Sequence, residues 1–376
     1  MELSHEDQLR LNVLLANEFD AVRIDENSMT LYALSGENEA RVRLNPTGKP
    51  EPYLRRVREL LSGHVLGSPG GYPVYLRRWT RMGQQRADNL EQLLKLGEPE
   101  AVVAVAGAPG LTDELARRAW WAAPTSDNAR CMLAHPDVVR GRMGAILAQH
   151  LVEHLAFETE SGTMIDTVRL VLQPGLIDEA TRLRIWNKGK HKRAYLVGFL
   201  QAMPDALPEP LPPRADLPEH PALAPLAQAG NTLAALLARV LDGPGQTFLS
   251  VAQTVLEKPA NQDDVVALLN AVSDYFGAAR PGPADRCQDL ERIIQECEAR
   301  CDHPGEDAAL AALLRAVPGL RPEIRAMLIL ARSDESVVTP IFARTTAIGT
   351  VMRRKLEPVT TPLRACLAVL RGRPQR

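Results

Sequence analysis

Apolar and polar positions follow two rhythms along this chain, and the change between them separates a short first segment from the rest. Over 19–44 the period is two: Phe19–Asp25, Met29–Leu34 and Ala40–Leu44 each alternate, with turn formers at 26–28 and 35–38 between them. That pattern predicts a small three-stranded antiparallel meander, whose apolar face needs a cover. The helical segment 52–62 is the nearest one. Ahead of the meander, Ser4 followed by Asp7 predicts a capping box opening a helix to about Asn17.

Beyond residue 96 the period becomes helical. Pro99, Thr112, Ser126 and Pro136 open segments spaced about a dozen residues apart, the punctuation expected of short stacked helices. Val138–Ala156, Met164–Val171, Leu176–Trp186 and Ala194–Met203 continue the series. Residues 204–221 then carry seven prolines and read as a stiff, extended linker. A second helical block follows, with segments near 222–241, 246–256, 262–277, 284–301, 306–316, 321–332, 336–354 and 358–371. The predicted architecture is mainly α. It has a helical-repeat-like N-terminal domain (1–203) with the β meander at its start, a linker (204–221) and an all-helical C-terminal domain (222–376).

Composition narrows the function classes. Forty-four basic against 46 acidic residues leave a net charge of −2, so nothing global attracts nucleic acid or anionic lipid. The first residues are acidic and lack the apolar core of a secretory signal, and the apolar runs fall short of the ~20 residues of a membrane span. Five cysteines are an odd set for a disulfide framework. The expectation is a cytoplasmic protein with reduced thiols and no membrane partner.

Candidate chemistry is sparse. His150, Glu153 and His154 match H-x-x-E-H, in which two imidazoles one turn apart face a metal and the glutamate serves as base. The plain reading is a polar helix face, and no metal or cofactor is assigned. Cys287, Cys297 and Cys301 fall within about 80° of one another on a helix, together with Leu290 and Ile294, so they read as core positions. Residues 63–74 hold four glycines and two prolines and predict a loop. Around it Arg55, Arg56, Arg58, Arg77, Arg78 and Arg81 are interleaved with Tyr53, Tyr72, Tyr75 and Trp79, the ingredients for stacking unpaired bases and neutralising phosphates. Lys188, Lys190, Lys192 and Arg193, with Arg182 and Arg184, form a second basic cluster. Of the adjacent Trp120 and Trp121, one is expected to fill the core and its neighbour, ~100° around the helix, to face a groove or partner.

Three stretches, LLSGHVLGSPGGYPVYLRRWTRMGQ (60–84), LGEPEAVVAVAGAPGLTDELARRAWWAAPTSDN (96–128) and LVLQPGLIDEATRLRIW (170–186), resemble the sulfur reduction protein DsrS family. Its genes accompany those of the dissimilatory sulfite reductase system of sulfur-oxidising bacteria. The resemblance is one of extended text and carries over no active-site residue. It implies a cytoplasmic protein supporting sulfur oxidation.

The expected function is therefore that of a non-catalytic accessory or regulatory scaffold. It would contact a protein partner through Tyr72, Tyr75, Arg77, Arg78, Trp79, Arg81, Trp120 and Trp121. An RNA-binding regulator using the basic clusters, Lys188 to Arg193 included, is the alternative. A zinc hydrolase on His150, Glu153 and His154 is the third reading.

Overall fold

The computed structural model describes residues 3–67, 87–214, 220–282, 287–305 and 307–373. The chain is mainly α-helical with a three-stranded antiparallel sheet near its start. Contacts group it into two compact units. One comprises Met1–Ala156 with Pro174–Ile177, the other Phe157–Gln173 with Asp178–Arg376.

In the first unit, α1 (His5–Leu15) precedes β1 (Ala21–Asp25), β2 (Thr30–Ser35) and β3 (Asn38–Arg43), which pair in the order β1-β2-β3. The register places Val22 opposite Ala33 and Leu31 opposite Val42. Those residues share one face, and α2 (Pro50–Leu66) covers it as expected through Tyr53, Leu54, Val57 and Leu61. Leu11 and Leu15 of α1 complete that core. The predicted capping box is only half formed. Ser4 accepts from the Asp7 amide at 3.2 Å, but the Asp7 carboxylate is buried and accepts from Tyr53 Oη and the Asn45 amide instead. Helix α2 also runs further than the sequence suggested. It absorbs 63–66 and ends at Gly67, whose φ of +63° suits glycine.

The punctuated series follows as α3 (Ala87–Leu94), α4 (Pro99–Ala106), α5 (Asp113–Ala122), α6 (Ser126–Leu133), α7 (Pro136–Arg140) and α8 (Arg142–His154). Thr112 and Thr125 cap α5 and α6. The single helix expected over 138–156 is broken at Gly141. The cause is tertiary: the Asp113 carboxylate accepts from the amides of Arg142 and Met143 at 3.0 and 2.9 Å, so a side chain of α5 caps α8.

The second unit contains α9 (Ser161–Val171), α10 (Glu179–Gly189), α11 (Arg193–Ala202), α12 (Leu223–Gln228), α13 (Thr232–Leu241), α14 (Gly243–Glu257), α15 (Gln262–Tyr275), α16 (Leu290–Asp302), α17 (Ala308–Ala316), α18 (Arg321–Arg332), α19 (Thr339–Phe342) and α20 (Gly349–Leu370). Helix α11 is buried from Ala194 to Leu200 and packs on α9, α14 and α15, as a helix apolar all round must. Gly198 permits the close approach to α9, because a Cβ there would lie 2.7 Å from Val168.

The helices before and after the proline-rich stretch therefore belong to one unit. Residues 204–214 of that stretch open with a turn and are docked: the Leu211 amide donates to Thr247 Oγ1 at 2.8 Å and the Arg214 amide to the Leu241 carbonyl at 2.9 Å. Several boundaries also differ from the sequence reading. Gly230, at φ +90°, splits the segment predicted over 222–241. Helix α20 runs unbroken through Pro358 and Pro362, because the buried row Met352, Leu356, Val359, Leu363 and Leu367 holds it together on either side.

Candidate partner-binding surface

The sheet exposes a second face opposite its core, built by the alternate residues of each strand. Arg23, Tyr32 and Arg41 lie across from one another on it, as do Asp25, Thr30 and Arg43. Trp121 reaches this face from α5 and donates its indole N–H to Glu39 Oε2 at 3.0 Å. The Arg23 guanidinium pairs with Glu39 at 3.0 Å and lies 4.4 Å from the Tyr32 ring centroid and 5.0 Å from that of Trp121. Trp121 is thus half-buried and held by a cation, a carboxylate and a strand. It anchors α5 to the sheet instead of standing free for a partner.

Trp120 is half-buried as well. Its ring meets His150 edge-on at 4.8 Å. Neither indole is a fully buried core residue, so the expected division between one core and one outward tryptophan is replaced by two packed, half-exposed rings.

His150 and His154 stack at 4.0 Å between centroids. Ser126 Oγ and His150 Nε2 share a hydrogen bond of 3.2 Å, His154 Nδ1 bonds the His150 carbonyl at 2.8 Å, and Glu153 accepts from Gln149 at 2.9 Å. Each side chain of the H-x-x-E-H pattern thus has a polar atom engaged in the helix or its neighbours. Among the described residues no group of three His, Cys, Asp or Glu is placed to hold a metal ion. Burial, with the neighbouring His154 charge, holds the His150 imidazole below its ordinary pKa.

The second basic cluster is also partly spent. Lys190 pairs with Glu209 at 2.9 Å, Arg193 donates to the Thr254 carbonyl, Lys192 lies 5.7 Å from the Tyr195 ring, and Lys188 is exposed. Tyr72, Tyr75, Arg77, Arg78, Trp79 and Arg81 fall outside the described residues. Cys297 and Cys301 are buried, with their thiol pKa values raised by burial. Cys287 precedes α16, which starts at Leu290 under an Asp289 cap, so it is half-exposed and off the stripe. Ile293, and not Ile294, is the isoleucine buried beside the cysteines.

The open surface lies elsewhere on the first unit. A groove of about 1180 Å³ runs along β3 and α1, lined by Leu9, Arg10, Val13 and Leu14 of the helix and by Tyr32, Ala40, Arg41, Val42 and Arg43 of the strands. Leu9 and Val13 are 66% and 59% exposed. They sit about 200° around α1 from Leu11 and Leu15, on the side away from the core. Leu9 and Val13 carry no cap, charge or motif signal that marks them in the sequence. HEDQLRLNVLL nevertheless carries two apolar stripes, and the second was legible. Arg41 and Arg43 are exposed and form no ion pair among the described residues.

Among the described residues no helix is long and apolar enough to cross a membrane. No family model, no curated protein and no solved structure matches the chain.

Proposed function

We propose that this chain is a non-catalytic accessory protein that holds a protein partner on its first unit, in the setting of cytoplasmic sulfur oxidation that its resemblance to the DsrS family implies. One observation carries the binding role: the groove along β3 and α1 presents exposed Leu9 and Val13 beside unpaired arginines. Solvent-facing leucine and valine at i and i+4 on a helix that already buries Leu11 and Leu15 add nothing to its own core. They are surface that a second molecule can remove from water.

The test is affinity capture from sulfur-oxidising cells with the full chain as bait, beside a Leu9→Ser/Val13→Ser bait of unchanged circular dichroism. A defined protein of the sulfur-oxidation machinery that is retained by the parent and lost by the variant is the expected result. Recovery of the same proteins by both baits removes the groove from the reading. The competing RNA role of Lys188 to Arg193 predicts binding of single-stranded RNA that weakens steeply with salt. A filter-binding titration at low salt decides it.

A further inference from the structure

The edge of β3 carries a more specific message than the groove as a whole. Strand order leaves β3 at the margin of the sheet, and among the described residues nothing pairs with its outer side. The Leu44 amide bonds the Met29 carbonyl at 2.8 Å. Hydrogen-bonded pairs alternate along an antiparallel ladder, so Val42 and Ala40 also point their backbone groups at β2. Glu39, Arg41 and Arg43 therefore aim theirs outward. The Arg43 carbonyl takes a long bond of 3.5 Å from Arg10 Nη1, and the outward groups of Glu39 and Arg41 have no protein partner among the described residues.

The two faces beside this edge differ in chemistry. On the core side, α1 overhangs with exposed Leu9 and Val13 next to half-buried Val42. On the outer side stand Arg41 and Arg43, which form no ion pair among the described residues, while the β3 carboxylate on that face, Glu39, is taken up by Arg23 and Trp121. Among the described residues no Asp or Glu lines the groove. A strand laid against β3 points successive side chains to alternate faces. Every second residue would meet apolar surface and the others would meet arginine.

We infer that β3 is a docking edge for an extended peptide segment of a partner protein, in which aliphatic residues alternate with acidic ones. This rests on the partner-binding reading above and adds its mode and its partner chemistry. The backbone of the segment completes the ladder through Glu39 and Arg41, its aliphatic side chains cover Leu9 and Val13, and its carboxylates pair with Arg41 and Arg43. The arginines select as well as attract, since they disfavour neutral or basic strands at the same edge. Single-stranded RNA would satisfy the arginines but leave the aliphatic overhang and the edge amides unused.

The experiment titrates the full chain against a fluorescein-labelled peptide of about eight residues alternating valine and glutamate, the length of an ordinary strand. Saturable binding is expected, weakened at least about tenfold in Arg41→Glu/Arg43→Glu. A valine–lysine peptide should bind that variant better than it binds the parent, which a misfolded variant would not do. N-methylation of alternate peptide amides should abolish binding when placed on the edge facing β3 and be tolerated on the other. Absence of peptide binding, equal binding by the charge-reversed variant, or indifference to which amides are methylated overturns the proposal. So does a dimer in light scattering that dissolves on charge reversal, which would make a second copy the occupant. Preferred binding of an oligouridine probe, lost in the same variant, overturns it too. If the parent bait captures a partner that the Leu9→Ser/Val13→Ser bait loses while the peptide fails, the strand-addition mode is wrong and the accessory role stands. If the peptide binds and no partner is ever captured, the accessory role fails on its own.

Discussion

The indole of Trp121 donates to the Glu39 carboxylate across 3.0 Å, joining α5 to β3 over 82 positions of sequence. The bond lies on the outer face of the sheet, with the Arg23 guanidinium beside the rings of Tyr32 and Trp121. With the Arg23 ion pair it occupies the one β3 carboxylate on that face, and Arg41 and Arg43 of the strand form no ion pair among the described residues.

Trp121→Phe keeps the ring and loses the donor, so it should cost about 1 kcal/mol, read from the urea midpoint by circular dichroism. Glu39→Gln keeps an acceptor and loses an exposed ion pair, and should cost less than about 0.5 kcal/mol. Equal costs for the two would show that the charge, not the indole bond, holds α5 in place.

The tertiary cap predicts coupling. Asp113→Ala strips the Arg142 and Met143 amides of their acceptor and should destabilise by about 1–2 kcal/mol. A Cβ at Gly141 would fall 2.1 Å from Asp113 Oδ1, so Gly141→Ala should cost about 1–3 kcal/mol by displacing the cap. The double variant should lose less than the sum of the two in a denaturation cycle.

Acid should weaken the first unit through His150. Its folded pKa lies below 6.5, chiefly from burial, so between the two values the unfolded chain binds the extra proton. The stability it contributes is complete above the unfolded value and is lost as pH falls through the folded one. Melting temperatures taken from about pH 7.5 to 5 should drop more steeply for the parent than for His150→Gln. Identical slopes would assign the acid sensitivity to other groups.

Arg214 pins the docked proline-rich segment. Its guanidinium pairs with Glu323 at 3.1 Å and donates to the Val369 and Leu370 carbonyls, with only 8% and 10% of the two charged side chains exposed. Arg214→Met should cost about 3–5 kcal/mol, because Glu323 is left buried without its cation. Glu323→Met in the same chain should return part of that loss in thermal unfolding.

Thiol accessibility follows burial. Cys131 is exposed, whereas Cys297, Cys301 and Cys366 are buried and burial pushes the Cys366 thiol up to about 12. A bulky maleimide should label Cys131 in the native protein and reach those three only after denaturation, as mass spectrometry would read. Rapid native labelling of Cys297 or Cys301 would show that the stripe they sit on opens to solvent.

Much of the fold was legible because its signals are local. The period-two segments of 19–44 pair as strands, Thr112 caps α5 as its position predicted, and α18 occupies Arg321–Arg332 as the pattern indicated. The candidate site was less so. Its arginines and aromatics form runs in sequence, yet 72–81 lies outside the described residues, and Lys190, Lys192 and Arg193 have neighbours of their own.

By itself the sequence determined the element types, most of the caps and the apolar stripes, since each depends on residues within a turn or two of one another. Tertiary packing decided the rest. Asp113 broke a helix on another segment, a buried row carried α20 through two prolines, and the proline-rich stretch became a docked strap because Leu211 and Arg214 found partners far along the chain. The groove belongs to that second kind: the exposed stripe of α1 can be read from HEDQLRLNVLL, but only folding sets it beside an open strand edge flanked by Arg41 and Arg43.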